Sequence, residues 1–430
     1  MKELSRNNQA LSALLGSCVA VFWPGALTFG FPGVMAAFWQ EMFHVGRAAT
    51  GLTIFFMLAA VGIFMFLVGR WQERYGPRKM MALGIILTAL ASMVAGSAQS
   101  MLYIYAWAAM NGLASCFVYV PALTLVQWWY PHKRGLAAGT TSMVFGLAAG
   151  IMAPAFGQGL QILGYQNLNL TAAILTIVCG LAGAWACRPP PEWSIDSVEK
   201  ARAGSAEDDS AKANGADDAD VADAAKQRTT IIRLTRSFTV KESLRTRSFW
   251  LLWLTWTLAG AAGVSLTVLS TGFGLSLGLS AESAVLILTA FNLTNGAGRL
   301  ISGILSDRLG RNQVMSFAFL AAGIAYFALP WSKELFSAAL LAAVVGFSFG
   351  TLFSVSAPLI ADCFGLEHFG AIFGLTFAAY GFVAGPLGPT LSGYLLDMSN
   401  DNFLPVFLYL GLFSLMAGLC IRWVVPPEGS

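Results

Sequence analysis

Twelve apolar runs dominate this sequence, placed roughly at residues 10–38, 48–69, 80–99, 101–128, 135–160, 168–187, 249–278, 282–304, 313–331, 335–361, 370–396 and 402–425. Crossing a bilayer as a helix takes about 20 residues. Transmembrane strands would instead need short segments of alternating polarity. The runs are long and uninterrupted, which predicts an all-α membrane protein of twelve transmembrane helices. Composition agrees, because only 11% of the residues are charged, against about 25% in a soluble domain. So charge-poor a surface would aggregate in water, and an ordinary cytosolic enzyme is excluded.

A different kind of sequence separates the sixth and seventh runs. From Glu192 to about Ala225 it is rich in Ala, Asp, Glu, Ser and Gly. Such a segment cannot bury enough surface to offset the entropy of ordering it, which predicts disorder. From Lys226 to Arg247 the chain turns basic. The stretch TVKESLRTRSFW reads either as a short helix on an anionic membrane surface or as a solvated tether that orients the next span. The expected organisation is a six-helix bundle over 1–191, a cytoplasmic, largely disordered linker over 192–248, and a second six-helix bundle over 249–430.

Charge position sets the expected topology. With a cytoplasmic N-terminus, the even-numbered connections hold Arg70, Arg74, Arg78, Lys79, Lys133, Arg134, Arg308, Arg311 and the basic linker. The opposite face holds only Arg47 and Lys333. Positively charged loops stay inside, so both termini and the linker are expected in the cytoplasm. The formal net charge of +3 is too small to point to nucleic acid. The six cysteines fall within or at the ends of apolar runs, with no CxxC pair, and read as small core residues. His44, His132 and His368 fall in loops, which leaves no membrane-embedded histidine for a proton relay or a Ser/His/Asp triad. Walker and GxGxxG patterns are missing. No cofactor and no metal is expected, and neither is a cleavable signal peptide.

The two halves repeat. The second connection reads GRWQERYGPRK and the eighth reads GILSDRLGRN. Gly69, Glu73, Arg74 and Gly76 pair with Gly303, Asp307, Arg308 and Gly310 at a constant offset of 234. At an offset of 235, GLAAGIMAP (Gly146–Pro154) lies over GFVAGPLGP (Gly381–Pro389). A parallel repeat of six helices argues for two bundles related by an axis along the membrane normal.

These loops resemble the signature of the major facilitator superfamily, G-x-x-x-[DE]-R-x-G-[RK]-[RK]. The resemblance implies that the acidic residue and basic partners pair at the cytoplasmic ends and lock the outward-open state. Glu73, Arg74, Asp307 and Arg308 are the candidate gate on that basis. A narrower resemblance follows. WWYPHKRGLAAGTTSMVFG, SLRTRSFWLLWLTW and FGAIFGLTFAAYGFVAGPLGPTLSGYLLD are similar to segments of monocarboxylate transporters and the related oxalate:formate antiporters. The acid-glycine motif that many animal members carry at the first helix is not evident. A bacterial relative in the inner membrane is therefore the better match.

Within the helical cores Arg299 stands out. It lies eight residues before Asp307, about 12 Å deeper at 1.5 Å per residue. A buried cation costs several kcal/mol unless something pairs with it. At offset 234 it corresponds to Met65, and Asn295 to Val61, so the architecture does not require a charge there. Arg299 is expected to face the central cavity and bind an anion, its fork suited to a carboxylate. The competing reading is an anchor that snorkels to the cytoplasmic end. Asn295 shares its helix face and is expected to bond the substrate or orient Arg299. Many monocarboxylate transporters have an aspartate there; an amide carries no proton.

Tyr119 lies mid-span in the fourth run, and a buried phenol wants a partner. Tyr380 lies in the eleventh, with Phe145 of the fifth as its repeat partner. The resemblance puts a lysine of oxalate:formate antiporters near Tyr380. This run has no lysine, which suits a monoanion better than a dianion. Phe145 and Thr28 are expected to line the N-terminal half of the cavity. Core packing is the competing reading for all four.

The expected function is secondary transport of a small monocarboxylate, such as lactate or pyruvate, by alternating access in a monomeric carrier. The resemblance implies proton coupling, but no membrane carboxylate is evident to carry the proton. Anion exchange of the oxalate:formate type is the alternative. A non-transporting sensor with the linker as docking segment is a reading from another class.

Overall fold

The computed structural model describes residues 2–191 and 237–427. The expected disorder over 192–225 and the basic stretch 226–236 lie outside these residues. Eleven continuous helices among the described residues are long and apolar enough to cross a membrane. They are α1 (Arg6–Ala36), α2 (Ala49–Tyr75), α3 (Pro77–Gly96), α4 (Met101–Trp129), the helix Arg134–Ala186, α7 (Arg247–Ser276), α8 (Ser283–Leu309), α9 (Arg311–Trp331), α10 (Leu335–Phe364), α11 (Phe369–Met398) and α12 (Phe403–Arg422).

The helix Arg134–Ala186 has 53 residues. Straight, it would run about 80 Å, far beyond a hydrocarbon core of about 30 Å. Gly164, at φ 73° and ψ 168°, breaks it. Residues 134–163 form α5 and residues 165–186 form α6, completing twelve spans. Of the stretch TVKESLRTRSFW, Val240–Ser243 forms one helical turn, closed by reciprocal bonds between Thr239 and Glu242. From Arg247 onward it already belongs to α7. The backbone N–H of Phe238 donates to the Phe364 carbonyl at 2.8 Å, which fastens this segment to the end of α10.

The sequence repeat reappears in the backbone. Gly76 turns the chain from α2 to α3 at φ 79°, ψ 154°. Gly310 turns it from α8 to α9 at φ 95°, ψ 144°. That region of backbone space is open essentially to glycine alone. Two seams join the bundles at this same end, α2 against α11 and α5 against α8. Gly69 backs onto Gly370 in one, and Gly303 onto Gly135 in the other, so closely that a Cβ at Gly69, Gly303 or Gly135 would strike the facing glycine and one at Gly370 would strike Gln72. Among the described residues no comparable seam joins α1 to α7. The two bundles are therefore closed against each other at the end that carries Glu73 and Asp307.

α1 and α11 each depart from α-helical winding. Ala26–Gly30 in α1 and Tyr380–Ala384 and Pro386–Thr390 in α11 are wound as π-helix. Pro386 and Pro389 lack the N–H that an α-helical ladder needs, and wider turns of this kind gather at functional positions. Thr28 and Tyr380 both sit on such turns.

Candidate functional site

Arg299 lies on α8, 2% exposed, where α8 is flanked by α5 and α10. Its Nε donates to Asn295 Oδ1 at 3.3 Å, and its Nη1 donates to the Ser142 carbonyl of α5 at 3.0 Å. The Cζ atom stands 4.5 Å from the centre of the Phe353 ring, a cation–π contact from α10. None of these partners is a carboxylate. The described acidic residues all sit at span ends or in loops. A guanidinium out of water with only neutral partners is under-compensated, and it favours any anion that reaches it.

Aromatic side chains from both bundles surround this cation. Tyr119 of α4 packs against Phe145 of α5 with ring centres 4.8 Å apart. Tyr380 of α11 meets Phe353 at 5.6 Å, Phe377 at 5.5 Å and Trp256 of α7 at 6.2 Å. Both phenols lie within electrostatic reach of Arg299. The Tyr119 hydroxyl and the Trp256 Nε1 are buried without a hydrogen-bond partner. Desolvating a hydroxyl without a partner costs about 1–3 kcal/mol, so the Tyr119 hydroxyl is an open valence beside the cation.

Of the sequence-predicted residues, Arg299, Asn295, Tyr119, Tyr380 and Phe145 come together. Thr28 does not join them. Its Oγ1 accepts from Asn111 Nδ2 at 3.1 Å, inside the N-terminal bundle. Four participants carried little signal in the sequence. Ser142 acts through its backbone carbonyl, Gly146 through the absence of a side chain, and Phe353 and Trp256 are ordinary-looking members of an apolar chain.

At the sealed end Asp307 accepts two backbone N–H groups from the first turn of α5, Gly135 to Oδ1 at 2.9 Å and Leu136 to Oδ2 at 2.8 Å. A carboxylate there meets the positive end of the helix dipole. Asp307 also pairs with Arg311 at 2.5 Å, Arg311 with Asp362 at 2.9 Å, and Asp362 with Arg134 at 2.6 Å. This four-charge chain crosses from one bundle to the other. Glu73 pairs with His368 at 3.0 Å. Arg74 stacks over Tyr75, and neither Arg74 nor Arg308 enters an ion pair among the described residues. Arg311 opens α9 just past the Gly310 turn, which brings its guanidinium back onto Asp307, whereas Arg308 is rotated about 100° from Asp307 on the same helix.

Comparison with known proteins places this geometry. The sequence model of the Major Facilitator Superfamily matches residues 15–285 and 261–430. The oxalate:formate antiporter of Oxalobacter formigenes is 24% identical over 366 residues, covering 84% of this chain and 78% of that protein. Monocarboxylate transporter 1 of Rattus norvegicus is 24% identical over 414 residues, covering 93% of this chain and 82% of its own. Among solved structures, the proton:xylose symporter XylE superposes with a TM-score of 0.74 at 14% identity, covering 98% of this chain and 97% of that one. FucP in the outward conformation does so with a TM-score of 0.70 at 16% identity, covering 97% and 99%. The sugar symporters share the fold; the carboxylate carriers share sequence along most of the chain. A matched profile over nearly the whole length, twelve helices in two halves and a repeated glycine-acid loop agree, and the chain belongs to the major facilitator superfamily.

Proposed function

We propose that this chain is a secondary carrier of small monocarboxylate anions of the lactate and pyruvate type, working by alternating access as a monomer. The observation that carries the reading is Arg299, a buried cation in the seam between the bundles whose partners are all neutral. Among the described residues its Nη2 makes no hydrogen bond, so the fork has a free edge for a carboxylate oxygen. The unpartnered Tyr119 hydroxyl supplies a further donor. One arginine with no lysine nearby balances one negative charge. On the positive-inside reading the closed end is cytoplasmic, the site opens toward the outside, and both termini lie on the cytoplasmic side of a bacterial inner membrane. Asp307, Arg311, Asp362 and Arg134, together with Glu73 and His368, form the inner gate.

The resemblance to monocarboxylate transporters favours a proton travelling with the anion. A second reading, exchange of one anion for another, is favoured by the same neutral surroundings of Arg299. With no acid beside it, a bare guanidinium makes reorientation of the empty carrier costly, while a bound carboxylate neutralises it.

The test is lactate uptake into proteoliposomes, with and without an inward proton gradient, for wild type and Arg299→Ala. Gradient-stimulated uptake that the substitution abolishes is the expected result. Uptake that appears only against a preloaded internal anion selects exchange. A wild type that moves no lactate, and does no better than Arg299→Ala, sinks the substrate class.

A further inference from the structure

Arg299 has one partner that belongs to the opposite bundle. The bond from Nη1 to the Ser142 carbonyl joins α8 to α5, and it must break before those helices part. That carbonyl is reachable for a local reason. Side chains on a helix lean toward its N-terminus, so a side chain at position 146 would lie over the carbonyl one turn back. Gly146 has none. A Cβ placed there would stand 3.1 Å from Cζ, 3.2 Å from Nε and 3.3 Å from Nη1 of Arg299. The guanidinium thus occupies the space that a side chain would otherwise fill.

The repeat supplies an internal comparison. In the other seam Gly381 stands for Gly146 and Met65 for Arg299. Gly381 faces Gly62 and Leu58, and a thioether donates no hydrogen bond. A tie from this position across the bundles is therefore built at the α5–α8 seam and lacking at its twin.

We infer that the bare backbone of α5 from Ser142 to Gly146 is a resting seat for the Arg299 guanidinium. The empty carrier holds its inner end closed partly through this seat, and an arriving carboxylate releases it by taking the guanidinium away. The inference rests on the reading of Arg299 as the anion-binding group. A carboxylate is the stronger acceptor because its bonds to a guanidinium are charge-assisted. Loading therefore removes one cross-bundle tie at the moment when the site becomes electrically neutral. Gly146 is a positioning residue in this scheme, and it acts only through Arg299.

The experiment is amide hydrogen exchange on the purified full-length carrier, read in peptides covering 134–142 and 303–309. The variants are Gly146→Ala and, one turn along the same helix, Gly150→Ala, where an added methyl meets no atom within 4 Å. Without lactate, Gly146→Ala is expected to exchange about threefold to tenfold faster than wild type, the size of one lost hydrogen bond. Alanine raises helix propensity, so a merely local effect would slow exchange instead. Lactate is expected to speed wild type by a similar factor and to add little to Gly146→Ala. Gly150→Ala is expected to match wild type. If Gly146→Ala matches wild type, or both alanine variants loosen alike, the seat is overturned. If Gly146→Ala loosens while lactate leaves wild type unchanged, the tie stands and the anion reading of Arg299 fails.

Discussion

Glu73 meets His368 across the boundary between the bundles, Oε2 to Nδ1 at 3.0 Å, where the other half of the repeat sets Asp307 against the first turn of α5. The two acids are equivalent in the repeat but differ by one methylene. The aspartate stays short and caps a helix. The glutamate reaches the imidazole at the N-cap of α11. One seam is thus fastened by a helix cap and a chain of fixed charges, the other by the partly exposed Glu73–His368 pair.

Asp307→Asn keeps the shape of the cap and removes its charge. We expect it to weaken the sealed end by about 1–3 kcal/mol, through the lost pair with Arg311 and the uncompensated dipole of α5. Glu73→Gln should cost less than about 1 kcal/mol, because its pair is partly solvated. Amide exchange at the starts of α5 and α11 measures both. Equal effects would contradict the asymmetry.

Tyr119→Phe separates packing from binding. The hydroxyl is buried and unpartnered, so its removal should leave thermal stability within about 0.5 kcal/mol or raise it slightly. If the hydroxyl binds the anion, KM for lactate should rise about fivefold, the value of one hydrogen bond. A large drop in melting temperature with unchanged KM would make Tyr119 a core residue only.

Asn295→Asp puts a carboxylate where an amide oxygen now lies 3.3 Å from Arg299 Nε. The new acid should compete with the substrate for the guanidinium, lowering lactate affinity about tenfold at neutral pH. Protonation removes the competitor, so affinity should recover as pH falls, more steeply than in wild type. A pH profile of KM reads the effect, and a flat difference between the two proteins would count against it.

Gly310→Ala tests the turn. At φ 95° and ψ 144° a Cβ costs about 1–3 kcal/mol, and Gly76→Ala should cost about the same at its twin position. Thermal melting checks both; an undisturbed variant would mean that the loop relaxes to another path.

The helices were legible because burying a long apolar run in lipid leaves the backbone one economical solution. The seven-residue gap expected between the fifth and sixth runs is in fact one residue, Gly164. Hydropathy does not mark it, since the backbone there reverses inside otherwise helical chain. Arg299 was legible because a charge is conspicuous in an apolar run, and Asn295 because it lies one turn away. The partners of Arg299 on α5 were not, because a carbonyl and a missing side chain have no residue type. At the gate the repeated motif drew attention to Arg74 and Arg308, while the Gly310 turn brings Arg311, the first residue of α9, onto Asp307.

Met65 occupies the place in the first half that Arg299 occupies in the second. The molecule is therefore symmetric in shape and polarised in charge. On the proposed reading the two halves divide the labour of recognition. The C-terminal bundle answers whether a molecule is an anion at all. The N-terminal bundle, through Tyr119 and Phe145, meets whatever the carboxylate carries behind it. Selection among acids can then drift by substitutions in one half while the affinity for negative charge stays anchored in the other.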